Sequence, residues 1–442
     1  MSDDGYKEVH VGPQRLQIPI EWEVKLIKDC CRYVSGSGFP EEYQGKKRGD
    51  YPFYKVSDMN NYTKFMGDSN NYVGEVEVEK LNLKTAPKDA VIFPKLGAAL
   101  ETNKRRILSR ESIFDNNIAA LIATDINNRF LYYVLQTIDL GILGNSGTVP
   151  SINKSTIEKL QLLCPPLPEQ KKIAAILSRV DEAIRTTEEI IDRTEELKKG
   201  LMQDLLTRGI GHDEFKEVQI GPKRLSAPAC WEKVKAGDLC KVKGGKRLPK
   251  GEGYAEEKTE FPYLRVVDFS NGSIDPSELQ YLKPDTQQKI ARYTITCKDV
   301  FISIAGTIGV VGIVPDFLDN ANLTENAAKL YDLQVDQKYL YYYLSGKLGQ
   351  DEIDRFTIGS TQPKLALKRI KKINVLVPPK KEQKQIASIL SRVDEKLQTE
   401  REYREELTEL KRGLMQDLLT GKVRVTDLPD DLFEGMDCAE LA

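Results

Sequence analysis

The sequence predicts an α+β fold built as a pseudo-two-fold tandem repeat: two globular α+β domains joined by two long antiparallel coiled-coil helices. Three observations carry this expectation. LKKGLMQDLLT at Leu197–Thr207 returns as LKRGLMQDLLT at Leu410–Thr420, with the single change Lys199 to Arg412. From Pro165 to Thr207, 27 of 43 positions match the residue 213 places further on, with no gap. A weaker match precedes each of these blocks. EVHVGPQRLQIPIEWE at Glu8 answers EVQIGPKRLSAPACWE at Glu217, which superposes the only two tryptophans, Trp22 and Trp231. Such a period is far too long for a solenoid and indicates a duplicated domain pair.

The segments follow in chain order: a first diverged domain at 1–163, a conserved long helix at 164–209, a second diverged domain at 210–376, a second conserved helix at 377–424, and an acidic tail at 425–442. In the first domain, YPFYKVSD and DAVIFPKLG alternate apolar residues as half-buried strands do, and NNRFLYYVLQTI reads as an aromatic-rich helix. SINKSTIEKLQLLCPP reads as a short helix feeding a final strand. In the second domain, DVFISIAGTIGVVGIV reads as two strands about a glycine-bearing turn, and DQKYLYYYLSGKL as the counterpart of the aromatic helix.

Each conserved block begins at a proline pair, Pro165-Pro166 or Pro378-Pro379, and meets no further glycine until Gly200 or Gly413. Apolar residues at Ile173, Leu177, Val180, Ile184, Leu197, Leu201 and Leu205 step by three and four within each run, as do Ile386, Leu390, Val393, Leu397, Leu407, Leu410, Leu414 and Leu418. A helix of ~40 residues spans about 60 Å. So narrow a seam needs a partner, and each helix is expected to find it in the other, antiparallel, as a rod with one globule at each end. Glu169, Gln170, Arg179, Asp181, Glu182, Lys198, Gln203 and Asp204 also recur, although a spacer needs only its seam. They are expected to form two equal surfaces for two equal partners.

Composition bounds the function. The 442 residues are 40% hydrophobic and 30% charged, and the formal net charge is -2. A freestanding nonspecific DNA coater would be basic. No apolar run reaches the ~18 residues that span a bilayer, and the N-terminus does not read as a secretory signal. The seven cysteines form no CxxC pair, and the histidines are two, His10 and His212. No metal site is expected, both histidines read as surface residues, and a reducing cytoplasmic location fits. Cys31 aligns with Cys240, Cys164 with Val377 and Cys230 with Glu21. Exchange with an apolar residue at one of these positions points to packing rather than ligation.

Catalytic signatures are missing. The proline pairs stand in CPPLP and VPPKK, not in an (N/D)PP(Y/F) methylation motif, and GTIGVVG is not GxGxxG. There is no Walker lysine motif, GxSxG or HExxH. What stands out instead is basic loops in both diverged domains: Lys46, Lys47 and Arg48; Lys104, Arg105 and Arg106; Lys243, Lys246, Arg247 and Lys250. Lysine and arginine neutralise phosphates, and arginine also grips a guanine edge with two hydrogen bonds.

The plan, with PPLPEQKKIAAIL…LKKGLMQDLLTRGIGHDEFK in the middle and PPKKEQKQIASIL…LKRGLMQDLLTGKVRV at the end, resembles the specificity subunit of type I restriction–modification enzymes over nearly the whole chain. The looser traits GTIG at Gly306–Gly309 and IPxxW at Ile18–Trp22 agree. The resemblance implies that 1–163 and 210–376 are target recognition domains, each reading half of a bipartite, asymmetric double-stranded DNA site. It implies that the helices space the half-sites and dock two methyltransferase subunits; independently, two diverged readers on a rigid two-fold rod are expected to meet the duplex near one helical turn, or ~10 bp, apart. Two restriction subunits can join. No cofactor is expected in this chain; S-adenosylmethionine, ATP and Mg belong to the partners. DNA contacts are then expected from the basic loops together with Thr307, Thr361 and Lys364, the last two in the loop Gly359–Leu365 that answers Ser146–Asn153. Partner contacts are expected from Lys198, Gln203, Asp204, Lys411, Gln416 and Asp417. The competing expectation is a coiled-coil adaptor bridging two proteins without DNA readout.

Overall fold

The computed structural model describes residues 5–144, 150–357 and 363–429. It divides into two compact units, one of residues 1–187 and 403–442, the other of 188–402. Both cuts fall inside the long helices, which run Leu167–Leu205 and Lys380–Leu418. Each unit therefore owns part of both helices.

The first unit opens with the hairpin Tyr6–Val11/Gln14–Pro19, turned at Gly12 with positive φ. Strand Glu23–Leu26 pairs antiparallel with Gln161–Cys164, the last strand before the helix. Between them lie a five-stranded sheet, ordered 31–35, 118–123, 91–94, 106–108, 65–66, and a three-stranded sheet, ordered 113–114, 51–54, 72–73. The core gathers Trp22, Phe93, Phe130 and Tyr133 with Ile173 and Leu177 of the first long helix. Leu418, Leu419 and Val425 join the same core, so the far end of the chain completes the first unit.

The second unit repeats the frame. Hairpin Phe215–Ile220/Lys223–Pro228 turns at Gly221, and Glu232–Lys235 pairs with Asn374–Val377. The sheets between them have four strands each: 241–244, 327–331, 300–303, 311–313, and 280–281, 262–264, 321–323, 294–295. The expected glycine-turned pair is the ladder Val300–Ser303 against Val311–Ile313. The expected aromatic helices are Asn128–Gln136 and Gln337–Ser345, capped by Asn127 and Asp336.

Within each unit the helix segments run antiparallel. In the first, Asp181 meets Lys411 while Glu169 meets Arg424; in the second, Glu195 meets Arg401 while Lys198 meets Asp394. Most of the expected seam is covered: Ile173, Leu177, Ile386 and Leu390 are fully buried. Leu197 and Leu410 are not. They are 56% and 51% exposed, and a place in the seam does not account for them. The segment expected to begin an acidic tail also folds in at its start: Val425 is buried, and Lys172 Nζ donates to the carbonyls of Thr426 and Leu428.

Candidate nucleic-acid interface and helix surfaces

The recurring polar residues of the long helices divide into two groups, one facing inward and one outward. Glu169 and Glu382 are buried, and each accepts a hydrogen bond from its unit's tryptophan indole, Trp22 or Trp231, at 3.0 Å. Gln170 and Gln383 are also buried. Each donates to the carbonyl of a proline five residues back and accepts from a backbone N–H at the start of the aromatic helix, Asn127 or Asp336. Buried polar groups need such partners, so these repeated residues pin helix to sheet and are not exposed docking groups.

Asp181 and Asp394 centre a second repeated set. Tyr133 donates to Asp181 Oδ2 at 2.5 Å and its hydroxyl lies 3.2 Å from Ser178 Oγ, while Lys411 reaches Oδ1 at 2.7 Å. Tyr342 donates to Asp394 Oδ2 at 2.7 Å and its hydroxyl lies 3.3 Å from Ser391 Oγ, while Lys198 reaches Oδ1 at 2.5 Å. Burial and the neighbouring carboxylate push both tyrosine hydroxyls far above their ordinary titration range. The expectation that Lys198 and Lys411 bind partner subunits is corrected here. Both ammonium groups are taken up by an aspartate of the facing helix, and their repetition follows from that pairing.

Outward-facing repeated residues remain: Arg179, Glu182, Gln203 and Asp204 are exposed, as is Gln416, while Asp417 is half-buried and paired with Lys422. Leu197, Gly200 and Asp204 lie at spacings of three and four, hence on one helix face, and Leu410, Gly413 and Asp417 repeat the stripe. A Cβ added at either glycine would meet nothing within 4 Å. Glycine inside a helix costs roughly 1 kcal/mol relative to alanine, and nothing among the described residues fills the space it leaves.

In the second unit, four of the residues expected at DNA converge. Gly245 lies where a Cβ would collide with the carbonyls of Leu323 and Thr324, so only glycine lets the basic loop lie down on that strand end. Lys246 N donates to Leu323 O, and Arg247 pairs with Glu325 at 2.6 Å while staying 79% exposed. The Asn326 carbonyl receives Ile304 N and Ala305 N at the start of the turn that carries exposed Thr307. Leu365 N donates to Ile304 O, which brings exposed Lys364 to the same sheet end. Lys250 is exposed. Lys243 bonds the Arg292 carbonyl and stands 5.2 Å over the Tyr293 ring. Thr361 lies outside the described residues, as do 145–149 of the matching loop.

In the first unit, Lys46 pairs with Glu77 at 2.7 Å, Lys47 donates to Asn70, and Arg48 is exposed. Lys104 bonds Asn60. Arg105 is corrected outright: it is 2% exposed, and its guanidinium donates to the carbonyls of Leu135, in the last turn of the aromatic helix, and of Ile138 just beyond it. Burial brings its pKa down to about 10. Arg106 is half-buried, bonds the Arg105 carbonyl, and is also lowered by burial. Arg105 therefore presents no free fork to a phosphate.

A residue missed from the sequence is Lys95. The 209-residue offset places Lys95–Gly97 against Ile304–Gly306, and the folded chain agrees: Ile152 N donates to Lys95 O, as Leu365 N does to Ile304 O. Its ammonium reaches Ser35 Oγ, and desolvation lowers its pKa. The repeat offset, applied position by position, was the signal that could have found it. His212 is also corrected. Its side chain is only 21% exposed and Nε2 lies 2.7 Å from Glu382, so it is not a free surface residue.

Two folded units with one repeated helical frame and two dissimilar loop sets define a class of paired recognition modules. The family model described as the type I restriction modification DNA specificity domain matches residues 19–196 and 228–409, and the chain belongs to this family. It is 26% identical to the type I restriction enzyme MjaVIII specificity subunit of Methanocaldococcus jannaschii, over 97% of this chain and 98% of that one. It is 23% identical to the EcoBI specificity subunit of Escherichia coli, over 67% and 69% of the two chains. A crystal structure of a type I restriction–modification S subunit from M. genitalium superposes with a TM-score of 0.57 at 17% identity, covering 90% of this chain and 96% of that one. That likeness carries the fold.

Proposed function

We propose that this chain is the sequence-reading subunit of a type I restriction–modification system, with each unit binding one half of a bipartite, asymmetric DNA site. The carrying observation is the contrast within the repeat. The polar frame, Glu–Trp and Asp–Tyr–Ser–Lys, recurs residue for residue, while the loops at the sheet ends differ: Lys246, Arg247, Thr307 and Lys364 in the second unit, Ser35, Lys95 and Ser151 in the first. Constant frames with dissimilar loops suit two readers of dissimilar half-sites. Arg247 is exposed enough to exchange Glu325 for a phosphate or base edge, since an exposed ion pair holds only weakly.

The chain works with methyltransferase subunits and, where present, restriction subunits; S-adenosylmethionine, ATP and Mg act there, and this chain performs no catalysis. The stripes Leu197–Gly200–Asp204 and Leu410–Gly413–Asp417 suit helix docking, because an apolar residue beside glycine lets a second helix approach closely. Two stripes suit two methyltransferases. The long helices set the distance between half-sites.

Exchange of Met1–Cys164 for the matching segment of a relative, followed by mapping of methylated adenines, tests the reading. One half of the bipartite motif changes and the other is retained. An unchanged motif overturns it. A gel shift with the reconstituted methyltransferase complex that shows no sequence preference would instead favour the adaptor.

A further inference from the structure

Three side chains in the second unit converge without serving the DNA loops or the helix stripes. His212, on the segment after the first long helix, places Nε2 2.7 Å from Glu382 Oε1. Its other nitrogen, Nδ1, lies 3.9 Å from Cys230 Sγ. One ligand atom from each of the three residues lies within 4.8 Å of the others. Glu382 is buried, and its position is set by the Trp231 indole and the Ile210 N–H as well. Gly209, at φ +68°, packs against Glu382, Trp231 and His212 so closely that a Cβ there would collide with all three. The segment is thus held down on the site.

The first unit shows what the same place requires. There Arg424 sits between Glu169, at 2.7 Å, and Glu21, at 3.0 Å. Glu382 answers Glu169 and Cys230 answers Glu21, while His212 stands where the arginine stood. The first unit fills this corner with a permanent cation between two anionic groups. The second presents cysteine, histidine and a buried carboxylate, three metal-ligand types, and among the described residues no arginine.

We propose that Cys230 and His212 bind a borderline-soft divalent cation, Zn²⁺ in the first instance, in the place Arg424 takes in the other unit. Zinc holds thiolate at about 2.3 Å and imidazole at about 2.0 Å, so tetrahedral ligands stand about 3.5 Å apart. Cys230 is exposed, and a movement of a few tenths of an ångström closes the gap. Glu382 accepts Nε2–H, which fixes the tautomer with the Nδ1 lone pair toward the cation, the usual carboxylate–histidine–metal arrangement. On binding, the Cys230 thiol releases its proton to solvent, and water fills the remaining positions. The ion staples the segment after the first long helix to the turn before strand Glu232–Lys235.

The test uses the full chain, reduced and stripped with chelator, then titrated with Co²⁺ and with Zn²⁺ in competition with a chromophoric indicator. One equivalent binds, with a thiolate-to-cobalt charge-transfer band in the near ultraviolet. Cys230→Ser, an exposed change that leaves the fold intact, removes the band and weakens zinc binding at least tenfold. Glu382→Gln weakens binding about 10–100-fold, the usual range for a carboxylate behind a histidine ligand. Absence of any bound metal overturns the proposal. So does an equivalent bound undiminished by Cys230→Ser, or one lost only when Cys164, a buried cysteine of the first unit, is changed to Val.

Discussion

Glu169 and Glu382 occupy the same position in the repeat, bond the same tryptophan nitrogen, and differ in what neutralises them. In the first unit Arg424 engages both carboxylate oxygens, Nε to Oε1 and Nη2 to Oε2. In the second, one oxygen takes the Ile210 N–H and the His212 ring, and no arginine among the described residues reaches it. The difference shows that duplication preserved the burial of the carboxylate and not the means of satisfying it. A buried charge demands a partner, and each unit supplies one from its own following segment.

The largest expected effect is therefore an asymmetry. Glu169→Ala strips acceptors from Trp22 and from the Arg424 guanidinium, and is expected to destabilise the first unit by about 3–5 kcal/mol, as loss of one partner of a buried pair does. Glu382→Ala leaves an indole, a backbone N–H and an imidazole without their shared acceptor, for about 1–3 kcal/mol. Hydrogen exchange resolved by unit during urea titration reads both. Equal losses would mean that Arg424 contributes nothing beyond a neutral donor.

The second comparison is the aspartate hub. Lys64, in the first unit, is nearly buried and reaches Tyr133 and Ser178 at 3.0 Å and Asp181 at 3.4 Å, so Asp181 faces two ammonium groups. Asp394 faces one, Lys198. Asp181→Asn should cost about 2–4 kcal/mol and Asp394→Asn about 1–2 kcal/mol, both below the full buried-pair value because these side chains keep some solvent. Thermal unfolding of the two variants in 0.05 and 0.5 M salt separates them. The reverse order would show that Lys64 is held by other contacts and not by Asp181.

These hubs also show where sequence reading stops. The 213-residue register, the tryptophan alignment and the aromatic helices were all legible, because each depends on local period or on identity between copies. Lys198 and Lys411 recur because each pairs with the aspartate of the opposite copy, Asp394 or Asp181. Recurrence alone does not distinguish that pairing from a shared external partner. Arg105 was misplaced for a related reason. In KRR, three adjacent cations look equivalent, and only the carbonyls of Leu135 and Ile138, some thirty residues on, draw the middle one inside. Leu197 and Leu410 failed oppositely: their spacing fits the seam, yet the facing helix does not cover them.

The basic residues yield a smaller but sharper contrast. Arg105→Ala is expected to act on stability, by about 2 kcal/mol through the buried donors and acceptors it leaves unmatched. Arg247→Ala is expected to leave stability unchanged and to weaken DNA binding by the methyltransferase-loaded complex, lowering the slope of log affinity against log salt by about one. A reduced slope from Arg105→Ala at unchanged stability would restore it as a phosphate contact.

The smallest effect has two opposed signs. Gly200→Ala and Gly413→Ala place methyl groups into open space on a helix face, so each should stabilise the isolated chain by about 0.5–1 kcal/mol. If the stripes beside Leu197 and Leu410 admit a partner helix at close range, the same methyl groups hold that helix away, and methyltransferase affinity falls. The two glycines stand in equivalent places, so each change should release one methyltransferase and the double change both. Analytical ultracentrifugation of the mixed subunits distinguishes these states. A gain in stability with unaltered assembly would leave the stripes unexplained and move the docking surface to the exposed Arg179–Glu182 face.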